Sequence, residues 1–469
     1  MAGFSARTSL HGAHYGEIMR DSQAVIDITA PSRTRWLIVA LLFGIYMIMV
    51  IDRVSISIAA KYIMPEYQLS EVQIGWIFSA FLVGYAIFQI PGGWLGDRFG
   101  PRRVLTFAVF WWSVFTVVTA VAGDLFLTSL LGVVGSFIVV RVLFSLGEGA
   151  GVPNYNRAVT NWVARQERGL ALGLILSGNS LGLAVTPPLV AWIMVTWGWR
   201  TAFYLAGGVG LVAALGWYWL ATDQPEEHPW VNAAELQHIA PPASSLRSQT
   251  LGPVPWRAML GRRTDLWFLT AATFIGGYVL YVYVSWFYLY LVNVRGFSVL
   301  GGGLYSAGPF VVGTVVAPLG GWLSDHFSRR VGKKVGRCGI GCSGLLVSGG
   351  AIFVGAGATD PYVAVLFLSL GGGALFFSSS AIFATAIDLA GAYAGTVTGF
   401  VNMGIHLGAA IAPTLTPILA HRFGWESALY VAAALAWLGA LFWLGVHPER
   451  AIDLEEEAAV LPQKKVFTA

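Results

Sequence analysis

Between Trp36 and Gly445, long apolar stretches alternate with short polar breaks. Each stretch holds about 20 residues, the length a helix needs to cross a bilayer. The breaks predict twelve spans, near residues 36–60, 74–94, 104–123, 130–153, 169–197, 201–220, 266–292, 300–323, 338–357, 361–387, 395–420 and 425–445. The fourth is the least sharply bounded, because "DLFLTSLLGVVGSF" suits a long loop as well as the span itself. The pattern predicts an all-α membrane protein with a six-helix bundle at 36–220 and a second at 266–445. Residues 221–265, rich in Pro, Ser, Gln and charge, read as a linker between them. Residues 1–35 and 446–469 read as terminal tails.

Composition supports the pattern. Of 469 residues 56% are hydrophobic and 11% charged, against roughly 25% charged in soluble domains. The basic residues are distributed unevenly. The tails, the linker and the loops on their side carry 22 of the 28 Lys and Arg, and the opposite loops carry 4. Cytoplasmic loops attract such an excess, so both termini are expected inside, in the cell's inner (plasma) membrane. The first 35 residues lack the apolar core and cleavage site of a signal peptide. The net charge of +4 comes from short loops and is no sign of nucleic-acid binding. Cys338 and Cys342 share a helical face and read as packing residues. No nucleophile–base set, metal cluster or phosphate loop stands in the spans, so neither an enzyme nor a cofactor is expected. Nothing demands more than a monomer.

The chain also repeats itself. "GGWLGD" (Gly92 to Asp97) returns as "GGWLSD" (Gly320 to Asp325). Gly173, Gly178, Gly182 and Pro187 return as Gly399, Gly404, Gly408 and Pro413, each 226 residues later. Two six-helix halves related by an axis along the membrane normal are one plan for a transporter.

Charge inside the spans is the main chemical signal. Asp52 and Arg53 are adjacent in the first span, and Arg141 and Glu148 lie in the fourth. Such residues cost roughly 2.5–3.5 kcal/mol each at a span centre, so they read as functional. Neighbours on a helix point about 100° apart, so Asp52 and Arg53 are expected to find different partners. Arg141 and Glu148, two turns apart, share a face, and Gly147, Gly149 and Gly151 allow close helix approach. A buried acid near an arginine suits a group that binds and releases a proton. Asp52 then reads as the proton carrier and Arg53 as the anchor for an anion. Glu148 corresponds to Gly372 in the second half, whose spans offer neutral groups: Ser378, Ser379, Ser380, Asn402 and His406, with Tyr281, Tyr283 and Trp286.

"GGWLGDRFGPRR" (Gly92 to Arg103) resembles the loop signature of the major facilitator superfamily, G-x-x-x-D-R-x-G-x-R-R counted from Gly93. In the second copy His326 replaces the arginine. The resemblance implies a conformational latch, with Asp97 near a neighbouring helix end and Arg98, Arg102 and Arg103 at the cytoplasmic surface. The other reading of these arginines is topology alone. Within the superfamily the chain is similar to the anion:cation symporter family. "IDRVSISIA", "FSAFLVGYAIFQIPGGWLGDRFG", "GEGAGVPNYNRAVTNWVARQERGLALG" and "GFVNMGIHLGAAIAP" carry that likeness. It implies that Asp52 and Glu148 take protons, that Arg53 and Tyr85 hold a substrate carboxylate, and that Arg141 tunes Glu148. Asn179 stands where galactonate-type carriers have a glutamine, Asn402 matches a span-11 asparagine, Ser379 a span-10 polar contact, and Ala381 replaces a polar residue. Tyr85 also reads as an ordinary packing aromatic, and Asn179 and Asn402 as interhelical hydrogen-bonding groups. His406 reads as a packing residue.

The expected function is proton-coupled symport of a small organic anion, a sugar acid such as a hexonate, hexuronate or aldarate. The alternatives are an exchanger or a carrier of aromatic or dicarboxylic acids, and a non-transporting membrane receptor on the same fold.

Overall fold

The computed structural model describes residues 30–164, 166–239, 264–390 and 394–449. Most of the predicted N-terminal tail, the middle of the linker and the C-terminal tail from residue 450 lie outside them. The first half holds α1 (Thr34–Glu66), α2 (Glu71–Phe99), α3 (Pro101–Thr119), α4 (Leu127–Trp162), α5 (Arg168–Trp197) and α6 (Trp199–Leu220). A short helix at Ala233–Ile239 follows. The second half holds α7 (Thr264–Phe287), α8 (Val299–Val331), α9 (Lys334–Gly357), α10 (Pro361–Ala390), α11 (Ala394–Phe423) and α12 (Trp425–Leu444). Eleven of these are long and apolar enough to cross a membrane. The twelfth, α3, has 19 residues and two arginines in its first turn, yet it packs on α4 and α6 inside the first half.

The helices outrun the predicted spans where polar ends keep winding. α4 continues to Trp162 rather than stopping near 153, because its last turns are amphipathic. Its ambiguous beginning has a physical cause. Gly132 takes φ 71° and ψ 170°, outside the helical region, so the turn before it is set off from the span by a kink.

The two halves use the same packing. α1 lies on α5 as α7 lies on α11, α2 on α4 as α8 on α10, and α3 on α6 as α9 on α12. The repeated glycines make the first of these contacts close. A side chain on Gly178 would strike the Phe43 carbonyl and one on Gly182 would strike Val50, both on α1. Gly404 and Gly408 meet Thr270 and Phe274 of α7 in the same way.

Across the halves, α2 packs on α11 and α5 on α8. Here the repeated prolines meet glycines: Gly75 lies against the Pro413 carbonyl and Gly303 against that of Pro187. Hydrogen bonds reinforce this end, between the Ser79 and Thr414 hydroxyls at 2.8 Å and from Lys61 Nζ to Asn293 Oδ1 at 2.7 Å. Toward the opposite end, Gly173 and Gly399 face open space. The halves are therefore pinned together at the end where α1 finishes.

Candidate functional site

Glu148 is set deep in the first half by the glycines on either side of it. Gly147 brings α4 onto Trp111 and Ala108 of α3, and Gly149 brings it onto Tyr85 and Phe88 of α2. The carboxylate between them is fully buried and reaches α1. There Arg53 Nε donates to Oε2 at 2.9 Å, with Nη2 at 2.8 Å. The Arg53 guanidinium also lies over the rings of Tyr85, at 4.7 Å, and Phe81, at 5.4 Å. Such cation–π contacts strengthen when desolvated.

Asp52 points elsewhere. Its carboxylate turns into the first half toward Trp112 and Thr116 of α3 and Arg141 of α4. It is fully buried, and neither oxygen has a hydrogen-bond partner among the described residues. Gly210 of α6 leaves it room. Arg141 packs over Phe144 at 4.1 Å and donates from Nη2 to the Arg53 carbonyl at 3.4 Å. Its Nε and Nη1 are buried without a partner among the described residues. A space of about 20 Å³ adjoins both arginines, Ser57, Tyr281 and Ser285. That is about the room one water-sized group needs.

From the second half, Tyr281 comes up to Arg53. The His406 ring stacks on Tyr85 with centroids 5.1 Å apart, and its Nδ1 lies 2.9 Å from the Asn402 carbonyl. Neither contact was legible beforehand. Tyr281 is one of three aromatics in a short stretch, and nothing local tells them apart. Tyr283 donates to the Leu368 carbonyl at 2.8 Å within the second half. Trp286 donates to the Pro413 carbonyl at 3.1 Å and meets Phe78, so it seals the closed end.

The remaining candidates stand on other walls. Asn179 is half-buried on α5 and Asn402 half-buried on α11. Ser379 donates to the Phe376 carbonyl at 2.7 Å and lines a cavity of about 100 Å³ with Thr273, Ser378 and Ile405. Ser378 donates to the Leu375 carbonyl and Ser380 to that of Ala317. These hydroxyls are spent as donors on the backbone and keep only their acceptor capacity.

At the end of α2, Asp97 lies 3.6 Å from Arg157 of α4. Arg98 packs over Trp94 at 5.5 Å, and Arg103 is exposed beside Phe107 and Tyr218. Arg102 donates to the Tyr218 carbonyl at 2.7 Å, and its amide donates to Asp223 at 2.8 Å. The second copy is denser: Arg337 joins Asp325 at 2.6 Å and Asp388 at 3.0 Å.

A separate clamp holds the linker. Arg35, at the start of α1, pairs with Glu167 and with Glu235 of the short helix, each at 2.9 Å. Glu235 also accepts from the backbone amides of Thr34 and Arg35, capping α1 with a negative charge. Burial works against that charge, but hydrogen bonds from Ser32, Arg35 and Thr34 outweigh it and hold the carboxyl below its ordinary range. Glu167 is lowered too, chiefly by its hydrogen bond from Arg35.

Comparison with known proteins agrees with this architecture. Residues 42–413 match the family model described as Major Facilitator Superfamily. The chain is 35% identical to the probable sulfoacetate transporter SauU of Cupriavidus necator, over 91% of this chain and 97% of the relative. It is 31% identical to the probable galactarate/D-glucarate transporter GudP of Escherichia coli K12, over 91% and 93%. In fold it resembles the crystal structure of a bacterial homolog of the human lysosomal transporter Spinster, inward-facing and unoccupied. The TM-score is 0.73 at 18% identity, over 89% of this chain and 97% of that one. The chain belongs to the Major Facilitator Superfamily, as a multi-pass membrane transporter and not an enzyme.

Proposed function

We propose that the chain is a proton-coupled symporter of a small organic anion, a hydroxylated carboxylate such as a hexonate, hexuronate or aldarate. The Arg53–Glu148 pair carries the reading. Arg53 can grip a carboxylate bidentately, and a substrate carboxylate taking that place displaces Glu148. A buried carboxylate that has lost its partner is costly, and a proton removes the charge. Anion and proton then travel together. Asp52, buried behind Arg141, serves as a second proton site, linked to Glu148 through Arg141, which faces both carboxylates. Tyr85 and Tyr281 frame the anion; Asn179, Ser379 and Asn402 meet its remaining groups.

Alternating access follows from the pinned end. Gly75–Pro413 and Gly303–Pro187 close one face, and rocking the halves would open it while closing the end where Gly173 and Gly399 now face open space. The excess of Lys and Arg at the latch end supports a cytoplasmic latch and both termini on the cytoplasmic side of the plasma membrane, with the chain acting as a monomer. The relative named for sulfoacetate supports a second reading, a small doubly charged anion, since two arginines adjoin the same space.

The test is a thermal-shift screen of sugar acids, dicarboxylates, aromatic acids and sulfonates at two pH values, followed by uptake into proteoliposomes. Glu148→Gln and Asp52→Asn should each cut pH-driven accumulation at least about tenfold. Undiminished accumulation in both would remove the proton assignment.

A further inference from the structure

We infer that His406 selects hydroxylated anions by accepting a hydrogen bond from a substrate hydroxyl at Nε2. The inference rests on the transport reading above and deepens it. The Asn402 carbonyl can only accept, so at 2.9 Å it fixes the imidazole proton on Nδ1. In the neutral ring Nε2 then carries a lone pair. His406 is half-buried, not sealed, and no described residue occupies that nitrogen. Its ring lies on Tyr85, the same ring that carries the Arg53 guanidinium.

One aromatic side chain therefore holds a carboxylate grip from the first half and a hydroxyl acceptor from the second. With the guanidinium 4.7 Å and the imidazole 5.1 Å from the Tyr85 ring, the two groups can serve different ends of one hydroxy acid whose carboxylate is on Arg53. The Ser378 and Ser379 hydroxyls donate back to their own helix and can also accept, but of these groups only the His406 ring lies on Tyr85 beside the carboxylate grip. An acceptor whose proton position is set by a backbone carbonyl distinguishes a hydroxyl from a methylene, which offers nothing to donate. A site built to meet a hydroxyl discriminates strongly against the analogue lacking it.

Galactarate and adipate make a matched pair, two six-carbon dicarboxylates that differ in their hydroxyls. Binding of each to the purified full-length protein is measured with sulfoacetate as a hydroxyl-free control. The wild type should prefer galactarate. His406→Phe keeps a ring on Tyr85 and removes the acceptor; it should lower that preference about tenfold, the worth of one hydrogen bond, and leave adipate and sulfoacetate binding unchanged. His406→Gln, which restores an acceptor, should recover part of the preference. Retained preference in His406→Phe overturns the proposal, and so does an equal loss for all three anions, which would make His406 a support for Tyr85 alone. A wild type that binds adipate and galactarate equally overturns the inference but leaves anion transport standing. A wild type that binds no carboxylate removes both.

Discussion

The two halves share a scaffold and differ in where they keep their charges. In the first, Asp52, Arg53, Arg141 and Glu148 lie deep in the bundle, and at the end of α2 Asp97 meets Arg157 only in an exposed pair at 3.6 Å. In the second, the corresponding interior is neutral, with Gly372 at the place of Glu148. The rim instead carries the cluster of Asp325, Arg337, Asp388 and Lys333. What the halves retain in common is steric: glycines that let α5 and α11 lie on α1 and α7, and prolines whose carbonyls meet a glycine of the other half. Duplication preserved the packing, which both halves need equally. Charge could diverge, because one carboxylate grip suffices for a small anion and each buried ion is expensive.

The largest expected effect separates the two charge clusters. Arg53→Ala should weaken anion binding about 100-fold, since it removes the guanidinium that grips the carboxylate through charge-assisted hydrogen bonds worth about 1.5–3 kcal/mol each. Arg337→Ala should leave affinity within about twofold, as its partners sit at a partly exposed rim. Titration of both variants with one anion checks this, and a comparable loss in the two would erase the distinction between interior and rim.

A smaller effect probes what the halves share. Gly75→Val and Gly303→Val each place atoms against a proline carbonyl, so each should favour opening at the Lys61 end. Labelling of a cysteine introduced at that end should speed up several-fold in both. A response from only one would break the equivalence of the two seals.

The smallest concerns the linker clamp. Glu235→Gln should cost about 1–2 kcal/mol at neutral pH through loss of charge-assisted hydrogen bonds. The Glu235 carboxyl is lowered in the folded state. Its contribution is therefore complete above the ordinary glutamate value of about 4.3 and fades as pH falls through the lowered folded value. Melting curves of parent and variant should converge in acid; a constant gap would assign the effect to shape alone.

Much of this was legible from residue order. Apolar runs located all twelve helices, eleven of them long and apolar enough to cross a membrane, and the 226-residue offset exposed the duplication. α3 was legible as a span at 104–123; its 19 residues begin with Pro101, Arg102 and Arg103, which leaves it the least apolar of the twelve. The role of Tyr281 against Tyr283 and Trp286 was not legible, because within a buried helix all faces are apolar and the neighbours decide. His406 was passed over for a related reason: its partner Tyr85 is in the other half, and no local pattern connects them.

The chain alone thus determined the spans, the repeat and the presence of acids and arginines where lipid would exclude them, because these depend on composition and on spacing within one helix. Only the tertiary structure decided that Glu148 pairs with Arg53, that Asp52 turns away from its neighbour, and that Tyr85 is shared by Arg53 and His406. Those relations arise from helices far apart in sequence packing at particular rotations, and hydropathy has no term for rotation once every face is buried.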